Sequence, residues 1–304
     1  MTSQDFAQSG MNTPNGLLPI REVTRQTGVN PVTLRAWERR YGLIKPQRTP
    51  KGHRLYSAEQ IAQIREVLGW LQRGVAVSQV KRLLQESLPP WAPADSPWLE
   101  QQRQWLRYIE QLAERQLDEG LNQALALYPP ETLCPHLFMP LLDQLELRWR
   151  AQSKTRVEQV FFLSWLRNKL SARVAQSNRQ QSGPPLLMLN LSERNIEPGL
   201  WLSAWLASNA DCPVRVFEWP IPAEDLALAI NHIGPRAVLL YADQRLEHGY
   251  LRSMLDVVDL PQMLCGRAVS IHHETLVALP DLHLADNPIA ALHALQQIGL
   301  LDGR

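Results

Sequence analysis

The 29 residues from Gly28 to Tyr56, GVNPVTLRAWERRYGLIKPQRTPKGHRLY, constrain this chain more than any other stretch. Asn30 stands where a helix N-cap belongs. Pro31 suits the first helical position, because the N–H it lacks has no partner there anyway. The helix is predicted to run to about Tyr41 and to stop before Gly42. At about 100° per residue, Leu34, Trp37 and Tyr41 fall on one side, and Val32, Arg35, Ala36 and Arg39 on the other. The apolar side is expected to pack on the preceding segment IREVTRQTG, with Ile20 and Val23 facing inward. Beyond Leu43, Pro46, Pro50 and Gly52 forbid a helix, while Lys45, Arg48, Lys51, His53 and Arg54 supply charge. A β-hairpin, or wing, tipped by Lys51 and Gly52 accounts for both facts. Ser57 then caps another helix, AEQIAQIREVLGWLQRG, and Ser78 starts a fourth.

Charge points the same way. From Gly16 to Glu86 there are 13 Lys and Arg against 5 Asp and Glu, so the remainder carries 18 against 25. A basic first quarter on an otherwise acidic chain is the footprint of a nucleic-acid-binding domain. The free face of the helix would enter the major groove. Arg35 and Arg39 can reach phosphates or guanine edges there, while Val32 and Ala36 can touch thymine methyls. Thr33 and Arg40 complete that surface. Arg48, Lys51, His53 and Arg54 would lie along the sugar–phosphate backbone. Tyr56 either donates its hydroxyl to a phosphate or packs under the wing. Taken alone, the helix also reads as an amphipathic surface helix with incidental arginines.

The rest of the chain divides by composition. Residues 1–16 form a polar tail, expected to be disordered and without the basic-then-apolar layout of a signal peptide. The DNA-binding region covers 17–87, and the Pro-rich stretch 88–96 is a linker. Residues 97–177 show apolar spacings of three and four, as in a helical bundle. From 185 to 304 the period changes. Short apolar runs (LLMLNL, VRVFEW, RAVLLYA, QMLCGRAV and LHLAD) alternate with helical patterns such as GLWLSAWLASN and AEDLALAINHI. That alternation implies βαβ units and a parallel, Rossmann-like sheet. The fold class is thus multidomain, α and α/β.

The first segment resembles the winged helix-turn-helix of the MerR family of transcription regulators. The matching residues are Ile20-Arg21-Glu22-Val23, Gly28-Val29, Thr33-Leu34-Arg35-Ala36-Trp37-Glu38-Arg39, Gly42-Leu43, Pro46, Arg48 and Gly52-His53-Arg54-Leu55-Tyr56. NPVTLRAWERRYGL is most similar to the MlrA and CarH/LitR branch. The resemblance implies a cytoplasmic homodimer on a pseudo-palindrome in double-stranded promoter DNA. It also implies distortion of the spacer so that RNA polymerase can engage, with activation favoured over repression. In that branch a helical bundle and a cobalamin-binding α/β domain follow, which matches the order here. Trp149 resembles the bundle tryptophan that covers the cofactor.

The cofactor residues depart from the branch. Its cobalamin binders carry Asp-x-His-x-x-Gly after the first strand, the histidine being the lower ligand to cobalt. Here the stretch is Arg194-Asn195-Ile196-Glu197-Pro198-Gly199, and isoleucine has no lone pair to give. The bundle Glu-His pair falls at Gln159 and Val160, and the later Gly-Gly becomes Cys265-Gly266. The expectation is no cofactor, with Trp149, Ile196, Gly199 and Gly266 lining a pocket for an unknown small molecule, or else a domain that only binds a protein partner. The alternatives are a light-sensing, cobalamin-dependent regulator and a corrinoid-binding enzyme component. No enzyme is expected from the residues themselves: GxGxxG, GxSxG and P-loop motifs are absent. Cys134, Cys212 and Cys265 form no CxxC pair, so neither zinc nor a disulfide framework is supported. The adjacent His272 and His273 point apart on most backbones, so no metal is expected there. No apolar run approaches the roughly 20 residues that span a bilayer.

Overall fold

A computed structural model describes residues 16–72, 74–86, 97–151, 155–193, 196–279 and 281–301. The first 15 residues of the expected tail, the linker 88–96, and Arg194 with Asn195 of the departed cobalamin motif lie outside the described residues.

The described residues cluster into two compact units. The first runs to Pro97 and includes Gln123–Pro129. It opens with β1 (Leu18–Pro19) and α1 (Ile20–Thr27). Next comes α2 (Pro31–Ala36), whose last turn widens to π-type hydrogen bonding over Trp37–Tyr41. Asn30 Oδ1 accepts from Thr33 N at 2.8 Å, as a cap should. Gly42 ends the helix in the left-handed region at φ 58°, where a side chain would be strained. Strands β2 (Gln47–Arg48) and β3 (Arg54–Tyr56) form the wing, and the sheet order is β1-β3-β2, antiparallel throughout. Gly52, at φ 82°, closes the wing tip by donating to the Thr49 carbonyl at 2.8 Å. Ser57 and Gln60 then exchange backbone-to-side-chain bonds ahead of α3 (Ala58–Gln72), a capping box. The fourth helix, α4 (Val77–Glu86), begins at Val77, one residue before the expected Ser78. Val23, Val29, Leu34, Trp37, Leu43, Ile64 and Val67 form the core.

The second unit joins what the sequence divides. Helix α5 (Pro97–Glu110) turns at Leu112, which takes φ 52°, into α6 (Glu114–Leu127), so the first long helical run is two helices. Helix α7 (Pro130–Leu133) passes through a π-type turn, Cys134–Phe138, into α8 (Met139–Ala151), and α9 (Arg156–Asn178) completes the bundle. The five expected strands are β4 (Leu186–Asn190), β5 (Val214–Phe217), β6 (Ala237–Tyr241), β7 (Gln262–Cys265) and β8 (Leu282–Ala285). They pair in parallel in the order β5-β4-β6-β7-β8. Helices α10 (Pro198–Asn209), α11 (Ala223–Ile233), α12 (His248–Asp256), α13 (Ala268–Ile271), α14 (His273–Leu276) and α15 (Pro288–Gln297) fill the connections. Strands β4 and β6 are buried at every position, which is why their sequences are continuously apolar.

Bundle and sheet do not separate at the expected boundary of 177–185, because α9 is tied to the α/β layer. Arg167 on α9 gives two parallel bonds to the Glu218 carboxylate, Nε at 2.7 Å and Nη2 at 2.6 Å, and its guanidinium lies 5.4 Å over the Trp201 ring. Trp201 Nε1 donates to the same carboxylate at 2.7 Å. Asn178 exchanges bonds with Val214, pinning the end of α9 to the edge strand. Within the bundle, Asp118 accepts from Trp165 Nε1 and pairs with Lys169, both at 2.7 Å.

Two consequences are measurable. Gly266 sits at φ 103°, and a Cβ there would lie 2.3 Å from the Ala242 carbonyl oxygen, a backbone atom that cannot step aside. Gly266→Ala is expected to lower stability by about 1–3 kcal/mol, read from the denaturant midpoint. The hydrogen bond from Arg167 holds the Glu218 carboxyl below its ordinary value of 4.5, with Trp201 assisting and burial opposing. The unfolded chain therefore binds the proton more readily, so this stability is present above about pH 4.5 and is lost as pH falls through the folded value. Glu218→Gln is expected to flatten the acid limb of a Tm-against-pH profile.

Candidate nucleic-acid interface

The interface is built on α2 and the wing. The cap at Asn30 fixes where α2 starts, and burial of Leu34 and Trp37 fixes how it is rotated. That rotation turns Val32 outward, 56% exposed, together with Arg35, Arg39 and Arg40. None of these three arginines makes an ion pair among the described residues. Lys51 and His53 stand exposed on the wing around Gly52. Six of the expected contact residues, Val32, Arg35, Arg39, Arg40, Lys51 and His53, thus face solvent.

The other five expected contacts are placed differently. Thr33 is fully buried, and its hydroxyl lies 3.5 Å from the Leu125 carbonyl oxygen. Ala36 is also buried; with Val32, Arg35, Arg39, Arg40 and Ala126 it lines a hollow of about 320 Å³. Trp37 Nε1 donates to the Leu127 carbonyl at 2.9 Å. The segment Gln123–Pro129 covers this side of α2, which a helical wheel drawn on α2 alone leaves open. Tyr56 packs under the wing at 1% exposure, so the phosphate alternative falls away, and burial raises its pKa. Arg48 and Arg54 do not stand free. Arg48 Nη2 donates to Glu38 Oε1 at 2.9 Å, and Arg54 Nε to Glu38 Oε2 at 2.5 Å. Burial works against the Glu38 charge, yet these two partners still hold its pKa below the ordinary carboxylate value.

Sequence reasoning gave Glu38 no role. The signal was present: it is the one carboxylate in WERRY, three residues after Arg35, followed by a wing with more arginines than a short hairpin needs.

The α/β half has its own crevice where the strand order reverses between β4 and β6, the usual ligand position in such sheets. A cavity of about 180 Å³ lies there, lined by Gly199, Tyr241, Asp243 and Arg267 among others. Tyr241 is buried and donates to Asp243 Oδ1 at 3.0 Å; burial, then the Asp243 charge, push its phenol well above the ordinary value. Asp243 also takes the Arg267 backbone N–H at 3.0 Å and its guanidinium at 2.9 Å. Arg267 reaches Glu146 on α8 at 2.6 Å as well.

The four expected pocket residues do not converge. Gly199 lines the crevice, whereas Ile196 lines a separate cavity of about 460 Å³ with Arg156, Gln159 and Val160. Trp149 and Gly266 line neither, and the Trp149 indole N–H is enclosed without a hydrogen-bond partner. Cobalamin fits these residues poorly. A Cβ at Gly199 would lie 1.8 Å from the Tyr241 hydroxyl, so the phenol already occupies the space beside that glycine. At Gly266 the Ala242 carbonyl does the same. Among the described residues no cluster of His, Cys, Asp and Glu suits a metal ion. His272 is buried with Nε2 accepting from Leu246 N at 3.0 Å, and its ring stands edge-on to His248. All three cysteines are buried and free. No helix among the described residues is long and apolar enough to cross a membrane.

Comparison with known proteins agrees with this architecture. Residues 18–87 match the MerR HTH family regulatory protein, and residues 101–173 match a B12 binding domain, which places that match on the helical bundle. The HTH-type transcriptional regulator MlrA of Escherichia coli is 36% identical over 219 residues, 72% of this chain and 83% of that protein. The HTH-type transcriptional repressor CarH of Myxococcus xanthus is 27% identical, over 68% of this chain and 73% of that one. Among solved structures, the methanol:cobalamin methyltransferase complex MtaBC of Methanosarcina barkeri is similar at 14% identity and TM-score 0.35, covering 74% of this chain and 90% of that one. The curated relatives are regulators of transcription rather than enzymes. The chain belongs to the MerR family of helix-turn-helix, DNA-binding transcriptional regulators, in the branch that holds MlrA and CarH.

Proposed function

We propose that the protein acts in the cytoplasm as a homodimeric, sequence-specific activator on a pseudo-palindromic promoter site. In this reading it bends and untwists the spacer so that RNA polymerase can engage. The observation that carries the reading is the exposed trio Arg35, Arg39 and Arg40, without ion pairs among the described residues, on a capped helix beside a wing tipped by Lys51. A helix so armed can place guanidinium groups against guanine edges while the wing grips the backbone. Distortion also adds selectivity, because the cost of deforming a site depends on its sequence.

The α/β half, in this reading, takes no cobalamin. Ile196 offers cobalt no lone pair, and the Tyr241 phenol stands against Gly199. Its role is to answer to another small molecule or a protein partner. The light-sensing and corrinoid-carrier alternatives both require the cofactor, so they stand or fall with that fit.

Three outcomes are expected. Arg35→Ala weakens binding to a selected promoter duplex by about 1–3 kcal/mol; a loss of only a few tenths would remove α2 from the groove. Binding falls steeply with salt, since each neutralised phosphate releases counterions. Protein incubated with adenosylcobalamin in the dark and then desalted is colourless; a red fraction with stoichiometric cobalt would restore the cofactor readings. Transcription in vitro with purified polymerase separates activation from repression.

A further inference from the structure

We propose that Glu38 is a specificity-determining positioning residue that withholds two wing arginines from the phosphate backbone, an inference that rests on the DNA-binding reading above. Six arginines and lysines lie on α2 and the wing (Arg35, Arg39, Arg40, Arg48, Lys51 and Arg54), yet two are paired with Glu38. Arg48 and Arg54 face each other across the wing, in register on β2 and β3. Like charges directly opposite on a sheet repel. The Glu38 carboxylate takes one guanidinium on each oxygen. The Arg54–Glu38 pair is shielded, with side chains 17% and 16% exposed, so salt screens it less than an open surface pair.

A carboxylate on a DNA-reading helix lowers attraction to every duplex alike, because phosphate is the same at every site. What it leaves is contact that depends on sequence: Arg35 and Arg39 in the groove, held in fixed relation to the wing. Two free wing arginines would reverse that balance. They would add phosphate contacts indifferent to sequence and loosen the wing against α2.

The test uses the full chain and a duplex enriched from a random pool by the wild-type protein, with a scrambled duplex as competitor. Affinity for both is measured from roughly 50 to 300 mM salt, with Glu38→Gln beside wild type. Release of one or two arginines is expected to steepen the log affinity against log salt slope by about one to two and to tighten scrambled binding about tenfold at low salt. The ratio of selected to scrambled affinity falls. A merely structural role predicts the opposite: both affinities drop together and the slope stays the same or becomes shallower. That result, or no change at all, overturns the proposal. If Glu38→Gln does not fold, as judged by circular dichroism, Arg48→Gln decides. It is expected to leave the slope on the selected site unchanged, while Arg39→Gln lowers it by about one. An equal fall for both overturns the proposal. A wild-type protein that prefers no duplex at all removes the DNA-binding reading itself, and the role of Glu38 with it.

Discussion

One carboxylate makes the first unit a single reading head. Helix α2 and the wing are separate elements, joined by a Pro-containing loop that cannot by itself fix their angle. Glu38 fixes it from the helix side by holding Arg48 and Arg54, one on each strand of the wing. The cap at Asn30 and the left-handed Gly42 set where the helix begins and ends. Buried Leu34 and Trp37 set its rotation. With those four constraints met, Arg35 and Arg39 have one orientation relative to the wing tip, and a groove contact and a backbone contact can be made together.

The second unit uses the same device for a different end. Glu218 gathers Arg167 and Trp201, and so couples the longest bundle helix to the sheet. Asp243 gathers Tyr241 and Arg267, and Arg267 continues to Glu146 on α8. Each carboxylate is partly buried and each is compensated by charged or polar donors, as burial demands. The result is a crevice braced from both sides. Within it the Tyr241 phenol stands against Gly199.

Much of this was legible in the sequence, for identifiable reasons. The five strands announced themselves as apolar runs because both faces of a parallel sheet are covered, and all five fall where the pattern put them. The α2 cap, the wing tip at Gly52 and the capping box at Ser57 follow from local chemistry, which one sequence displays in full. The misses were non-local. Burial of Thr33 and Ala36 comes from Gln123–Pro129, some ninety residues away, and no helical wheel carries that information. The pairing of Arg48 and Arg54 with Glu38 is also hidden from composition, which counts charges without their partners. The placement of the expected pocket residues is non-local too. Ile196 and Gly199, three residues apart, open into different cavities once the helix α10 begins between them.

These misses bear on how a regulator of this kind can diverge. The reading head depends on a short list of local signals, so it stays recognisable wherever those signals are kept. The α/β half depends on space, and space is lost by single substitutions. One phenol at position 241 narrows the crevice beside Gly199, while its strand keeps its pairing and its core packing. Ile196 has no lone pair to offer a metal, and α10 begins two residues after it. The link from α9 to the sheet rests on Glu218 with Arg167 and Trp201, and neither Ile196 nor Gly199 takes part in it.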